Sequence, residues 1–362
     1  MKVHLVSETP FVRKGNGVHT AFIETIKLLK ERNDIDVVVN GEGQGDVFHC
    51  HTYGPYYFWK GMGYKGRRIH TAHVIPDSIK GSLPMWKYWM PFTKWYFKKV
   101  FSYADVIIAL SPTVEQEIKK LGVNRRIEKI YNPIFIDRWK RNQKMRRKGR
   151  EILGLKEDEF VVLGVGQLQP RKGIEDFIDV AKELREAKFV WVGGRPFGAL
   201  TEAVGRINSK IASASKYITF PGMLDLDEMP YIYAAADVFL FPSYQENCPL
   251  APLEAAASGM PVIFRDIKEY RSLYENPYLR ASTNEEFVRI IKHLMNEDDY
   301  YQKGVKTSEK LVSQFDKNNI CEKLVTLYRS VVNKSYSKAE SYTKDGIKKN
   351  QPEEQMYYIF EK

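Results

Sequence analysis

The sequence predicts an α/β protein made of two successive doubly wound parallel sheets, and three observations lead there. Short apolar runs alternate with longer segments of helical period along most of the chain, the pattern of parallel strands joined by crossover helices. The alternation occurs twice, interrupted at residues 139–150 by WKRNQKMRRKGR, which carries seven positive charges and no acidic residue. The chain has 362 residues, 43% hydrophobic and 13% aromatic, enough for two domains that each bury a core.

In the first half, Lys2 to Ser7 reads as an alternating strand. Gly15-Asn-Gly17 then opens a helical pattern from Val18 to Glu31, and a glycine turn there lets a ligand approach the backbone closely. Asp46 to His51 and Arg68 to His73 are further short strands, each ending in histidine. Asp105 to Ser111, a helix from Thr113 to Leu121 and Ile127 to Tyr131 complete the alternation. Ligands of such sheets collect at the carboxyl ends of strands, where His51 and His73 fall. A histidine at a strand end is also often just a satisfied polar residue.

One stretch departs from the alternation. Ile79 to Tyr103 holds five lysines, nine aromatics and no acidic residue. At helical spacing Trp86, Trp89, Met90, Thr93, Tyr96, Phe97, Val100 and Phe101 share one face, with Lys87, Lys94 and Lys98 opposite and Trp95 adding to the aromatic content. This resembles an interfacial membrane helix, rings at the headgroup level and lysines drawn to anionic lipid. A core helix with a solvated rim is the alternative, and Pro91 is expected to interrupt any long regular helix. The stretch 139–150 reads as too polar to pack, hence as a loop or linker.

The second alternation starts with the strand Phe160 to Val165, followed by GQLQPRKG and a helix from Ile174 to Leu184. Lys172, beside Gly173 at the opening of that helix, can reach a phosphate as a point charge. Strands follow at 189–192 and 218–220. Asp225 with Glu228 reads as a capping box for a helix ending at Ala235, rather than as a metal-binding pair with Asp227. Ala236 to Phe241 is a buried strand, closed by Pro242, that feeds a loop with Glu246 and a helix with Glu254 in its first turn. Gly259 and Pro261 end that helix. A helix opening after a buried strand directs free N–H groups toward an anion, and two nearby carboxylates can accept hydrogen bonds from vicinal hydroxyls. The stretch suits a sugar joined to a nucleotide diphosphate, although Glu254 is also what the dipole of a helix favours in its first turn. Strand 261–264 and helices at 283–295, 298–315 and 318–332 follow. The tail from Lys334 is polar, with MYYIF near its end able to dock.

Charge and cysteines narrow the class. The net charge is +11, distributed as +15 over residues 1–150 and −4 over residues 151–362. The basic half suggests a polyanionic partner. An anionic membrane surface is preferred, because no nucleic-acid-binding signature accompanies the charge. Cys50, Cys248 and Cys321 have neither metal-ligand spacing nor an even disulfide framework, which points to a reducing cytosol. No apolar leader or membrane-spanning run is evident, so secretion and transmembrane anchoring are disfavoured.

With ADVFLFPSYQENCPLAPLEAAASGMPVI, QLQPRKG and YNPIFID in view, residues 1–333 resemble the retaining GT-B glycosyltransferases (glycosyltransferase group 1, family 4), whose signature is two glutamates separated by seven residues. SETPFVRKGNGVHTAF, HCHTYGP, HTAHVIPDS and RDIKEY look most like bacterial enzymes that transfer a hexose to diacylglycerol or glycosyl-diacylglycerol. The resemblance implies two Rossmann-like domains facing across a cleft. Residues 1–138 would form the acceptor- and membrane-facing domain, 139–157 a hinge, 158–315 the nucleotide-sugar domain, 316–333 a helix crossing back, and 334–362 a tail.

It further implies that Glu254 holds the ribose hydroxyls and Glu246 those of the transferred sugar. Lys172, aided by Arg171, would neutralise the diphosphate, and N–H groups around Asn247, Cys248 and Leu250 would face sugar and phosphate. Gly15 and Gly17 would approach the phosphates, and His73 would orient the donor sugar or its leaving group. Trp86, Lys87, Trp89, Lys94, Trp95 and Lys98 would meet the membrane and acceptor. UDP-hexose is the implied co-substrate, with no essential metal. The expected place is the inner face of the cell membrane, bound peripherally in the cytoplasm. Two departures stand out: Gln167 replaces the usual arginine, and Asn247 the usual glycine. The general base is left open between His51 and His73. A phosphatidylinositol or polysaccharide acceptor, or a non-catalytic basic binding protein, are the other readings.

Overall fold

The computed structural model describes residues 1–9, 17–79, 86–194, 204–214, 218–274 and 278–343. Gly15 and the MYYIF motif lie outside the described residues, as does the side chain of Trp86. The first domain runs β1 (Lys2–Val6), α1 (Gly17–Lys30), β2 (Asp36–Val39), β3 (Val47–Cys50), α2 (Pro55–Met62) and β4 (Arg67–Ala72). It continues with α3 (Trp86–Tyr103), β5 (Val106–Ala109), α4 (Pro112–Lys120) and β6 (Arg126–Lys129). After α5 (Ile136–Trp139) and α6 (Gln143–Leu153), the second domain runs β7 (Val161–Val165), α7 (Ile174–Glu183), β8 (Lys188–Val192), α8 (Val204–Ala214), β9 (Ile218–Gly222) and α9 (Met229–Ala235). Then come β10 (Val238–Phe241), α10 (Ala251–Ala257), β11 (Val262–Arg265), α11 (Lys268–Leu273), β12 (Leu279–Ala281), α12 (Asn284–Asn296), α13 (Asp298–Ser313) and α14 (Lys317–Thr343).

The described strands form two six-stranded sheets, ordered β2-β1-β3-β4-β5-β6 and β12-β11-β10-β7-β8-β9, with every pairing parallel. Central strands such as VVLGV and VFLF are apolar on both faces because helices cover both sides. Winding reverses direction at β1 and again at β7, which opens a crevice at the carboxyl ends of β1 and β3 and another at those of β7 and β10.

Three local expectations need correction. Residues 143–153 are helical rather than a loop. Asn142 Oδ1 caps α6 by accepting from the Met145 N–H (2.9 Å), and Gly154 at φ 65° ends it. Its charges do not forbid packing because Asp237 receives Arg146 (2.7 Å) and Arg150 (3.1 Å), and Arg150 also donates to the carbonyls of Lys156 and Glu159. Helix α3 continues through Pro91, its sixth residue, at the cost of one main-chain hydrogen bond in its second turn. Helix α14 extends to Thr343, past the expected end at residue 333.

Helix α14 crosses back onto the first domain. Ile320, Leu324, Val325, Tyr328 and Val331 are buried. Lys317 pairs with Glu31 (2.7 Å), Arg32 with Glu322 (2.6 Å) and Arg329 with Asp34 (2.6 Å). Main-chain bonds join Ile134 to Phe315 and Lys317 to Ile134 just before the crossing.

Candidate active site

The crevice of the second domain gathers the residues expected to bind the donor. The turn after β7 brings Lys172, and the loop after β10 brings Glu246. Gly173 sits between the turn and α7 at φ 72°, where a Cβ would strike the Pro242 carbonyl, so only glycine lets the two loops touch. Lys172 Nζ is in direct contact with Glu246 Oε1. Ser243 Oγ donates to the same oxygen (2.9 Å), and Arg171 Nη1 lies 3.8 Å from Oε2. Burial alone would raise the Glu246 carboxyl, but Lys172 and Arg171 with these hydrogen bonds outweigh it and hold it below the ordinary carboxylate value. Burial lowers Lys172, against the pull of Glu246. The geometry favours a charged pair, which leaves Glu246 an acceptor of hydroxyl hydrogens rather than a proton donor.

Glu254 on α10 differs. Burial raises it to about 7, although the Tyr233 hydroxyl donates to Oε2 (2.7 Å) and works the other way. Cys248 and Leu250 are nearly buried, and burial pushes the Cys248 thiol up to about 12. At Gly17 a Cβ would meet nothing within 4 Å, so packing inside the chain does not require glycine there.

The facing crevice holds a column of histidines. His73 Nε2 lies 3.0 Å from His51 Nδ1, and the His51 ring lies 4.3 Å from that of His49. His49 in turn contacts Thr71 Oγ1 and the Tyr328 hydroxyl of α14, both at 2.6 Å. Burial lowers His49 and His73 to about 3 and His70 to about 4, and takes His51 well below its usual value, so all four rings are neutral at pH 7. Across the cleft, Asn247 Nδ2 donates to the His73 carbonyl (2.8 Å), and Asn132 Nδ2 to the Cys248 carbonyl (3.3 Å). Glu246 and His73, more than 170 residues apart in sequence, are thus held as neighbours across the two domains.

The outer face of α3 corrects the expected membrane face. Thr93, Phe97, Val100 and Phe101 point into the core, so much of the face read as lipid-facing is interior. The exposed rings are Tyr88 (79%), Trp89 (58%), Phe92 and Trp95 (55%), turned away from the core, and Lys87, Lys94 and Lys98 are exposed along the same helix. Helix α2 adds Tyr56, Trp59 (67%) and Met62. Tyr96 and Tyr103 tie the helices together through bonds to the Tyr53 and Met62 carbonyls (2.5 and 3.3 Å).

Two family models match the chain: Glycosyltransferase Family 4 over residues 2–138 and Glycosyl transferases group 1 over residues 159–297. An alpha-galactosylglucosyldiacylglycerol synthase from Streptococcus pneumoniae is 32% identical over 301 residues, 80% of this chain and 79% of that protein. The chain belongs to this glycosyltransferase family. A second relative of this glycosyltransferase, the processive diacylglycerol alpha-glucosyltransferase of Acholeplasma laidlawii, is 28% identical over 92% of this chain and 99% of its own. The fold is GT-B. Anabaena HepE in complex with UDP-glucose superposes with a TM-score of 0.74 at 18% identity, covering 91% of this chain and 100% of that one.

Glycosyltransferase sequence motifs single out Glu246, Glu254, Lys172 and Asn247, because each lies in a short segment with its own signal. They assign no role to Ser243, Asn132 or His49, although these lie in the same motifs, nor to Tyr233, because the contacts of all four form only in the folded chain. A hydroxyl three residues before Glu246 is the one local hint for Ser243. Among the described residues, no three His, Cys, Asp or Glu side chains are grouped to hold a metal ion.

Proposed function

We propose that this glycosyltransferase moves a hexose from UDP-hexose to a membrane lipid acceptor, diacylglycerol or a monoglycosyl-diacylglycerol, with retention of configuration. The observation that carries the acceptor half is the exposed aromatic and lysine-bearing surface of α2 and α3 on the first domain. Such a surface matches an interface where rings sit at headgroup level and ammonium groups meet anionic lipid. The names of the pneumococcal and Acholeplasma relatives, both acting on diacylglycerol lipids, agree with it. The place of action would be the cytoplasmic face of the cell membrane, reached by peripheral binding. No helix among the described residues is long and apolar enough to cross a membrane.

In this reading Glu254 accepts hydrogen bonds from the ribose and Glu246 from the hexose. Lys172 and Arg171 neutralise the diphosphate as it departs, and N–H groups at Asn247, Cys248 and Leu250 line the sugar and phosphate. His73 orients the donor from the facing domain. Lys172 and Arg171 hold Glu246 below the ordinary carboxylate value and burial lowers His73 to about 3, so both are weak bases, and the leaving diphosphate is the natural acceptor of the proton released by the attacking hydroxyl on the same face. Domain closure would exclude water from the oxocarbenium-like transition state. Lys172→Ala and Glu254→Ala are each expected to reduce transfer from UDP-hexose by at least about a hundredfold while leaving the circular dichroism of the fold unchanged. Wild-type turnover in both variants would overturn the site assignment.

A further inference from the structure

We infer that Asn247 is a positioning residue that latches the two domains together, fixing the donor-binding loop of Glu246 against the His73 loop. Its Nδ2 donates to the His73 carbonyl (2.8 Å) and to Ser78 Oγ (3.1 Å), both in the segment that follows β4 in the first domain. The carbonyl can only accept, which fixes the orientation of the amide. Its Oδ1 accepts from Gln245 Nε2 (3.3 Å), so the side chain is held from its own loop as well.

Both ends of the latch are rigid. Ser78 Oγ also accepts from the Ile75 N–H (3.3 Å), and the Ser78 N–H donates to the Ile75 carbonyl (2.9 Å), so Asn247 grips a closed turn rather than a free strand of chain. His73 is held on its other side by His51 through ring nitrogens 3.0 Å apart. In the second domain, Glu246, one residue before the latch, is fixed by Lys172 and Ser243. One residue after it, the Cys248 carbonyl accepts from Asn132 of the first domain (3.3 Å). One amide therefore ties the chain beside the Glu246 carboxylate to the backbone of His73 and to the turn that follows it.

The family resemblance leads to glycine at this position, and glycine has no side chain with which to make either bond. With glycine, the facing loops would be joined by the Asn132 bond and the contact of α4 with α11, where Thr113 Oγ1 and Ser272 Oγ are 3.5 Å apart. Substrate would then have to supply the rest of the closure. Asn247 moves part of that ordering into the protein, and pre-ordering of this kind acts on the rate of the bound complex more than on the capture of donor.

The kinetic consequence rests on the proposed roles of Glu246 and His73 at the donor sugar, whereas the latch itself can be read from distance. The test pairs the two readouts. Spin labels at Lys120→Cys on α4 and Lys268→Cys on α11 report the separation of the domains, and UDP-glucose turnover with diacylglycerol vesicles reports kcat and KM. In Asn247→Gly the label distance distribution is expected to lengthen and broaden, with kcat down about tenfold and the KM for UDP-glucose within about twofold. Ser78→Ala should act in the same direction, and the double variant should be no worse than Asn247→Gly, because both remove a shared interaction. An unchanged distance distribution in Asn247→Gly, or fully additive losses in the double variant, would overturn the latch. A wild-type protein that turns over no UDP-glucose would count against the donor reading alone, and the distance measurement would still decide the latch.

Discussion

The two glutamates of the signature are both nearly buried, yet they sit in opposite electrostatic settings. Glu246 has cations at contact distance, whereas Glu254 has a tyrosine hydroxyl and burial raises it to about 7. That difference has a consequence for stability. A carboxyl whose folded value lies above its ordinary 4.5 holds its proton more tightly when folded. It therefore contributes stability that is full below about 4.5, declines as pH rises toward 7, and is gone above it. The size is about 3 kcal/mol at most. Glu254→Gln, which keeps an oxygen for Tyr233, should remove this decline, giving a melting temperature flatter between pH 5 and 7 and no lower than wild type at pH 8. A variant as pH-sensitive as wild type would show that Glu254 does not titrate in this range. The carboxylates themselves could be found from local sequence, since each stands beside a strand end or helix start. Their different protonation could not, because Tyr233, Lys172 and Ser243 reach them only after folding.

Helices show where sequence periodicity holds and where it fails. Thr113–Leu121, Ile174–Leu184 and Thr283–Met295 were legible to within a residue or two, because each has a buried stripe and a clear start, a side-chain cap at Ser111 and Thr283 and the glycine turn at Gly173. Helix α6 was not, because its arginines are neutralised by the half-buried Asp237 and by backbone carbonyls, with Leu153 the one large apolar side chain it buries. Gly149 lies where a Cβ would fall 1.9 Å from the Tyr231 carbonyl oxygen of α9. Gly149→Ala should therefore destabilise the protein by about 1–3 kcal/mol, as overpacking does, despite the better helix propensity of alanine. Chemical denaturation would measure it, and an unchanged midpoint would contradict this backbone-to-backbone packing. Helix α3 misled in another way, because its aromatics divide between core and surface. Changing Trp89 and Trp95 together to alanine should cut binding to anionic vesicles by about tenfold or more, leave the melting temperature within a few degrees, and make residual binding more salt-sensitive. Phe101, which is fully buried, supplies the contrast: Phe101→Ala should cost about 3–5 kcal/mol of stability. Undiminished vesicle binding by the tryptophan variant would remove this surface from the acceptor account.

At the scale of the whole molecule, two doubly wound domains, the crossing helix and the charge asymmetry fit one division of labour. In the proposed reading the second domain presents the donor site at the crevice beside β7 and β10. The first presents histidines, the aromatic surface and an excess of positive charge, 21 Lys+Arg against 13 Asp+Glu over residues 1–138. The two-domain alternation was legible because strands and helices alternate twice. The contacts that set the domains against each other, Asn247 to His73, Asn132 to Cys248 and Tyr328 to His49, join residues more than 100 positions apart and leave no local pattern. The central claim is transfer of hexose to a membrane lipid, and its most direct test is product analysis. Purified protein is incubated with radiolabelled UDP-glucose or UDP-galactose and vesicles that contain diacylglycerol and anionic lipid, and the solvent-extracted product is identified with its anomeric configuration. The account predicts label in an α-glycosyl-diacylglycerol or its diglycosyl homologue; label found only in water-soluble products, or in a β-glycoside, would contradict it.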